Sequence, residues 1–325
     1  STAPAQTVEE SLAEGREAFM SYDFKGAARH YAAARKKARK KIPAELEEQE
    51  RELMKAENFL ERVEKLVILD SITVPKTDFF KAYKLPFSAG NLGNSDAVPF
   101  ENTDADYVFT NEGNDFKMWA QPDSTGTYRI VESIRLTDGS WHEPSETPDV
   151  LNNGGNAIYP FMMSDGVTLY FASDNGESLG GYDIFVATRD AADGEYLQPQ
   201  NIGMPYNTPY DDYLLAIDEL NGVGWWATDR NQLGELLTVY LFKICAFIEL
   251  PLFIENLRRI SASLASLSLK DFSAARYFFI IVFPPGVRKS SSVVYVTPPF
   301  IGNMKSTCFF IGSGVIAMIS SRRGV

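Results

Sequence analysis

The chain has 325 residues, with 31 Lys and Arg against 43 Asp and Glu, and only two Cys and two His. That length gives room for two or three domains with cores of their own. The acidic balance argues against a phosphate-tracking nucleic-acid surface, and the Cys and His counts exclude a zinc finger, a disulfide scaffold and a His-rich metal enzyme. The charge is unevenly divided. Residues 1–242 carry 21 basic against 40 acidic side chains, residues 243–325 carry 10 against 3, and no acid follows Asp271. The start at Ser1 shows no charged stretch leading into an apolar one, so the expectation is a chain whose signal peptide has already been removed.

From Thr7 to about Leu69 the sequence is rich in Glu, Lys, Arg, Ala and Leu, which predicts three helices over 7–21, 24–40 and 44–68. The first two alternate small and large residues at helical spacing, through Leu12, Gly15, Phe19, Phe24, Ala27, Tyr31 and Ala34, as closely packed antiparallel helices require. Gly15, Ala27, Tyr31 and Ala34 occur in the order of the small and aromatic positions of a tetratricopeptide repeat, and the segment resembles one such repeat. The basic run Arg35 to Lys41 precedes five Glu between 45 and 52, which reads as a helix end facing an acidic neighbour. The third helix has Leu46, Leu53, Leu60, Val63 and Val67 as its apolar stripe.

Beyond Asp70 aromatic and β-branched residues alternate with Asp, Asn and Gly, and Pro75, Pro86 and Pro99 oppose a long helix. Residues 71–97 are expected to form a linker with an incoming strand, with 86–97 separating the domains. An internal repeat follows. Tyr170-Phe171-Ala172-Ser173-Asp174 returns as Trp225-Trp226-Ala227-Thr228-Asp229, and the earlier Tyr107-Val108-Phe109-Thr110-Asn111 has the same texture. Turns precede the copies at Asp104-Ala105-Asp106, Asp165-Gly166 and Asn221-Gly222, and a second strand follows each, at 116–119, 183–186 and 238–241. Antiparallel hairpins recurring about every 50 residues predict a β-propeller of four-stranded blades. Gly166 and Gly222 supply the positive φ of a tight hairpin, Gly180-Gly181 admits the next strand, and Ser173, Asp174, Asp183 and Arg189 are expected to tie loop to strand.

The segment 159–190 resembles a blade of the Tol-associated WD-like β-propeller family through Pro160, Asp165, Gly166, Leu169 to Phe171, Ser173, Asp174, Gly180, Gly181, Asp183, Ile184 and Arg189. Joined to the tetratricopeptide-like start, it is similar to a group of Gram-negative envelope proteins, some associated with secretion or with a peptidoglycan-binding module. The resemblance implies a noncatalytic role in the periplasm or at the outer membrane.

His30 and His142 stand without motif partners, and the sequence has no HExxH, GxSxG or GxxxxGK[ST]. Asp174 with Asp183, or Asp211 with Asp212, are the carboxylate pairs a propeller glycosidase would use, although adjacent Asp211 and Asp212 point to opposite faces of a strand. Calcium on Asp174, Asn175, Glu177 and Asp183 does not match a 12-residue EF-hand loop, so turn stabilisation is the expectation and no metal or cofactor is assigned.

The acid-poor segment from about 243, with Cys245 and Cys308, breaks the repeat and reads as an out-of-frame or chimeric stretch. Its apolar runs are too short to span a membrane. The expected fold is α+β and multidomain: a helical domain over 1–70, the linker over 71–97, an incomplete propeller over 98–242 and the tail over 243–325. The expected function is a noncatalytic envelope scaffold whose partners are envelope proteins or peptidoglycan, with self-association as a further option. Phe19, Tyr22 and Tyr31 are the candidate binding face. The alternative is a propeller that binds or hydrolyses glycans through Asp residues.

Overall fold

The computed structural model describes residues 7–244, apart from 64, 101, 102, 104, 153 and 191–193. The chain divides into two units, Ser1–Ala246 and Phe247–Val325. The second unit, together with Cys245 and Asp104, lies outside the described residues, and so do the expectations made for the basic tail.

Three helices lead: α1 (Val8–Met20), α2 (Phe24–Ala38) and α3 (Ala44–Leu60). Thr7 and Glu10 close a reciprocal capping box at the start of α1, and the Asp23 carboxylate caps α2 by accepting the Gly26 N–H at 2.9 Å. Gly15 faces the Tyr31 ring so closely that a Cβ there would overlap it, which is why the first helix needs a glycine at its centre. Leu12, Phe19, Ala27, Tyr31, Ala34 and Leu46 are buried around that contact. The basic run meets the acidic helix as its charge pattern predicts: Arg35 donates through Nε to Glu50 at 2.8 Å and through a second nitrogen to the same carboxylate, and Arg16 pairs with Glu52.

The third helix stops at Leu60, short of the expected 68. Leu60, Val63 and Val67 are exposed, and the β-branched stretch that follows takes strand pairing instead. This strand, β1 (Val67–Pro75), runs antiparallel to β13 (below) along nearly its whole length, so the boundary expected at residue 70 falls inside a strand. Residues 86–97 are likewise no free linker. They hold two 3-10 turns and β2 (Asn91–Gly93), which edges the next sheet, while Phe79, Phe80 and Tyr83 just before them are buried in the main core.

The remaining strands are β3 (Val108–Thr110), β4 (Phe116–Pro122), β5 (Tyr128–Ile134), β6 (Ser145–Glu146), β7 (Ala157–Met162), β8 (Thr168–Ser173), β9 (Asp183–Thr188), β10 (Gln200–Asn201), β11 (Asp212–Asp218), β12 (Val223–Thr228) and β13 (Leu236–Lys243). They form three sheets of order β2-β3-β4-β5-β6, β10-β9-β8-β7 and β1-β13-β12-β11. All pairings are antiparallel. The fold among the described residues is therefore α+β, three helices followed by antiparallel sheets.

The repeat falls in a different phase from the one the sequence suggests. Phe109 on β3 meets Phe161 on β7 with ring centroids 5.2 Å apart, and the Tyr107 hydroxyl donates to the Pro160 carbonyl at 3.0 Å. Thus 107–111 lies beside the first strand of the middle copy and does not match its second strand. The counterparts of Phe171-Ala172 are Trp119-Ala120 and Trp226-Ala227, and the copies end on Asp123, Asp174 and Asp229, 51 and 55 residues apart. Tyr-Val-Phe-Thr-Asn misleads because a buried first strand shows the same apolar run and small hydroxyl as the second.

The helices do not stand apart from the sheets. Leu179 and Met204 from the middle sheet's loops join the helical core, Lys55 on α3 donates to the carbonyls of Gly176 and Ser178, and the Tyr210 hydroxyl donates to the Met20 carbonyl at 3.2 Å. No helix among the described residues is long and apolar enough to cross a membrane.

Candidate functional site

The side chains that end the strands bind backbone in a repeated pattern. Asp174, after β8, accepts the Asn156 N–H at 2.6 Å and its Nδ2–H at 2.7 Å, and Asp229, after β12, accepts the Asp211 N–H at 2.9 Å. Asn156 and Asp211 in turn accept, through Oδ1, the N–H groups of Tyr128 and Tyr182 in the preceding sheet, each at 2.9 Å. A second set repeats the idea. Asn152 accepts the Ile130 N–H at 3.0 Å and Asn207 the Ile184 N–H at 2.7 Å. Buried N–H groups without partners are costly, so these relays both satisfy strand ends and fasten one sheet to the next.

The other motif residues have similar work. Asp165 accepts from the N–H groups of Val167 and Thr168 in a turn whose Gly166 has φ +67°, and Ser173 accepts weakly from the Asn175 N–H. Gly180 and Gly181 are required by close approach: a Cβ on the first would strike the Thr208–Tyr210 backbone and on the second the Asp211 carboxylate. Arg189 reaches from the middle sheet to Glu132 in the first at 2.9 Å and lies over the Tyr196 ring. Asp183 is wholly buried, accepting from Leu179 N–H, Gly180 N–H and Asn201 Nδ2, and burial pushes its carboxyl up to about 6. Asp212 is also buried, takes the Thr208 N–H and hydroxyl, and is held well above the carboxylate range by burial and by the charge of Asp183.

In each carboxylate pair weighed for a hydrolase one member is buried, Asp183 or Asp212, while Asp174 and Asp211 accept backbone N–H groups. Among the described residues no group of three His, Cys, Asp or Glu is arranged to hold a metal. The helical rings also differ from expectation. Phe19 and Tyr31 are interior, at 0% and 1% exposure, whereas Tyr22 stays 38% exposed with its ring 6.4 Å from that of Tyr210, so of the aromatic face expected to await a partner only Tyr22 reaches the surface.

Between the first two sheets lies a cleft of about 120 Å³. Tyr107, Tyr128, Tyr159 and Tyr182 wall it with Ile158, and the exposed Asp106 lines it as well. Tyr159 sits at a break in the β7–β8 register with φ +52°, a left-handed conformation unusual for an aromatic residue. Leu214 repeats it in the third sheet with φ +40°. Tyr159 lines the cleft, and edge-on contacts with Phe79 at 5.2 Å, Tyr107 at 5.4 Å and Tyr213 at 5.7 Å fix its ring against the main core. Burial pushes the Tyr159 and Tyr182 phenols up to about 12, so both are neutral at physiological pH. The sequence reading missed this site, because its signal is a pair of irregular strands rather than a motif. A larger cavity of about 370 Å³ lies among the turns near Asn111 and Gly166, with Arg189 on its wall. No family model, curated protein or solved structure matches the chain.

Proposed function

We propose that the chain is a noncatalytic binding platform of the Gram-negative envelope, periplasmic or associated with the outer membrane. In this reading a tetratricopeptide-like helical hairpin is docked on blades of a β-propeller. The observation that supports the reading is the repeated tether: side chains at the strand ends accept backbone N–H groups from the same or the preceding sheet, an arrangement that stiffens a surface. The helices add a second surface on the same unit, suited to contacts with envelope proteins or wall polymer.

A photoreactive side chain at the exposed Lys25 on α2 tests it in envelope extracts, alongside assay of sacculi and a glycan panel for turnover. A discrete adduct with an envelope component and no turnover is expected. Turnover that disappears in Asp174→Asn would favour the hydrolase, and the absence of any adduct or sedimentation with sacculi would contradict the platform.

A further inference from the structure

The tyrosine cleft has the size, walls and charge of a site for a small cation. Its volume of about 120 Å³ equals about four waters of liquid, enough for a compact head group. Four tyrosines line it; aromatic rings attract cations through their quadrupole, and because the Tyr159 and Tyr182 phenols are neutral the attraction comes from the rings rather than from ionised oxygens. Among the described residues no basic side chain lines the cleft. Asp106 lines it and is exposed, and the charges of Asp174 and Asp211 also act on Tyr182.

Asn156, beside Tyr182, has its Oδ1 on the Tyr128 N–H and its Nδ2 on Asp174, so its amide is already engaged. A primary ammonium carries three N–H donors that ring faces satisfy weakly, whereas a quaternary ammonium carries none and loses less hydration on entry. We infer that the cleft between Tyr128, Tyr159 and Tyr182 binds a quaternary ammonium group, with Asp106 supplying the counter-charge. The bulge at Tyr159 bears on the same place, since a left-handed aromatic residue persists only where its surroundings hold it, and this one lines the cleft.

The inference goes beyond the platform reading, which is decided separately by the envelope adduct. Its test is titration of the full chain with choline, with the neutral isostere 3,3-dimethylbutan-1-ol and with Nα-acetyl-lysine methylamide. Saturable binding of choline is expected, with the isostere and the lysine compound each weaker by about tenfold. Tyr128→Phe should keep binding within about threefold, and Tyr128→Leu and Asp106→Asn should each weaken it by about three- to tenfold. Both positions are exposed, so folding is expected to survive, and the Asp106 variant serves if the Leu variant misfolds. Phosphatidylcholine vesicles present the same group on a lipid: retention of the chain assigns the lipid source, and choline binding without retention assigns a free solute. Failure of choline to saturate, equal affinity for the neutral isostere, tighter binding of the lysine compound, or undiminished binding in both weakened variants would each overturn the inference.

Discussion

Asp183 and Asp212 are buried where the middle and third sheets meet, and each accepts backbone N–H groups from the loop that leads into its own strand. Their folded pKa values are raised, that of Asp183 to about 6 and that of Asp212 well above the carboxylate range, so above about pH 4 the folded chain holds more protons than the unfolded one. Stability therefore falls as pH rises from about 4 and levels off only once both carboxyls are charged. Lys55 eases the charge on Asp183 and Arg230 that on Asp212, yet desolvation dominates both. Asp212→Asn keeps an oxygen for the Thr208 donors and removes a charge. Chemical denaturation should show it more stable than the parent chain by about 1–3 kcal/mol at pH 7.5, with the difference closing near pH 4.5. A constant difference at both pH values, or a loss at both, would show that Asp212 is ionised without cost.

At the scale of elements, local chemistry was the readable part. Gly15 opposite Tyr31, Asp165-Gly166 at a hairpin and the basic end of α2 facing acidic α3 all follow from residues close in sequence or from simple charge. Phase and partnership were harder. Tyr107 to Asn111 resembles the second strand of a copy but lies beside the first strand of the next sheet, and Val67 to Pro75 became a strand only because β13 offers it an edge. The bulge at Tyr159 leaves no mark in the sequence, so the cleft it shapes was invisible there.

Tyr22 shows the same limit. As a residue of the turn between α1 and α2 it reads as free for a partner, but its ring packs edge-on to Phe24 at 6.2 Å and beside Tyr210, with Thr208 and Arg230 close to its hydroxyl. Tyr22→Ala should lower the urea midpoint by the equivalent of about 1–2 kcal/mol, and Tyr22→Phe by less than half of that. An unchanged midpoint in the Ala variant would return Tyr22 to the role of a partner-binding ring.

At the scale of the molecule, the helices and the three sheets share one unit, and the account depends on how the sheets are held to one another. Apolar packing joins them through Phe109 with Phe161 and through Tyr159 with Tyr213, but such contacts alone would let neighbouring sheets slide. The relays from Asp174 through Asn156 to Tyr128, and from Asp229 through Asp211 to Tyr182, add direction. They also engage those carboxylates within the chain, as the proposed platform requires. Hydrogen exchange at the Tyr182 amide, compared between the parent chain, Asp211→Ala and Asp211→Asn, tests this most directly. The account predicts slow exchange in the parent, acceleration of at least about tenfold in the Ala variant and recovery of much of the protection in the Asn variant, which retains an acceptor. Fast exchange in the parent, or the same rate in all three, would show that Asp211 is no tether and would contradict a platform held together by its strand-end carboxylates.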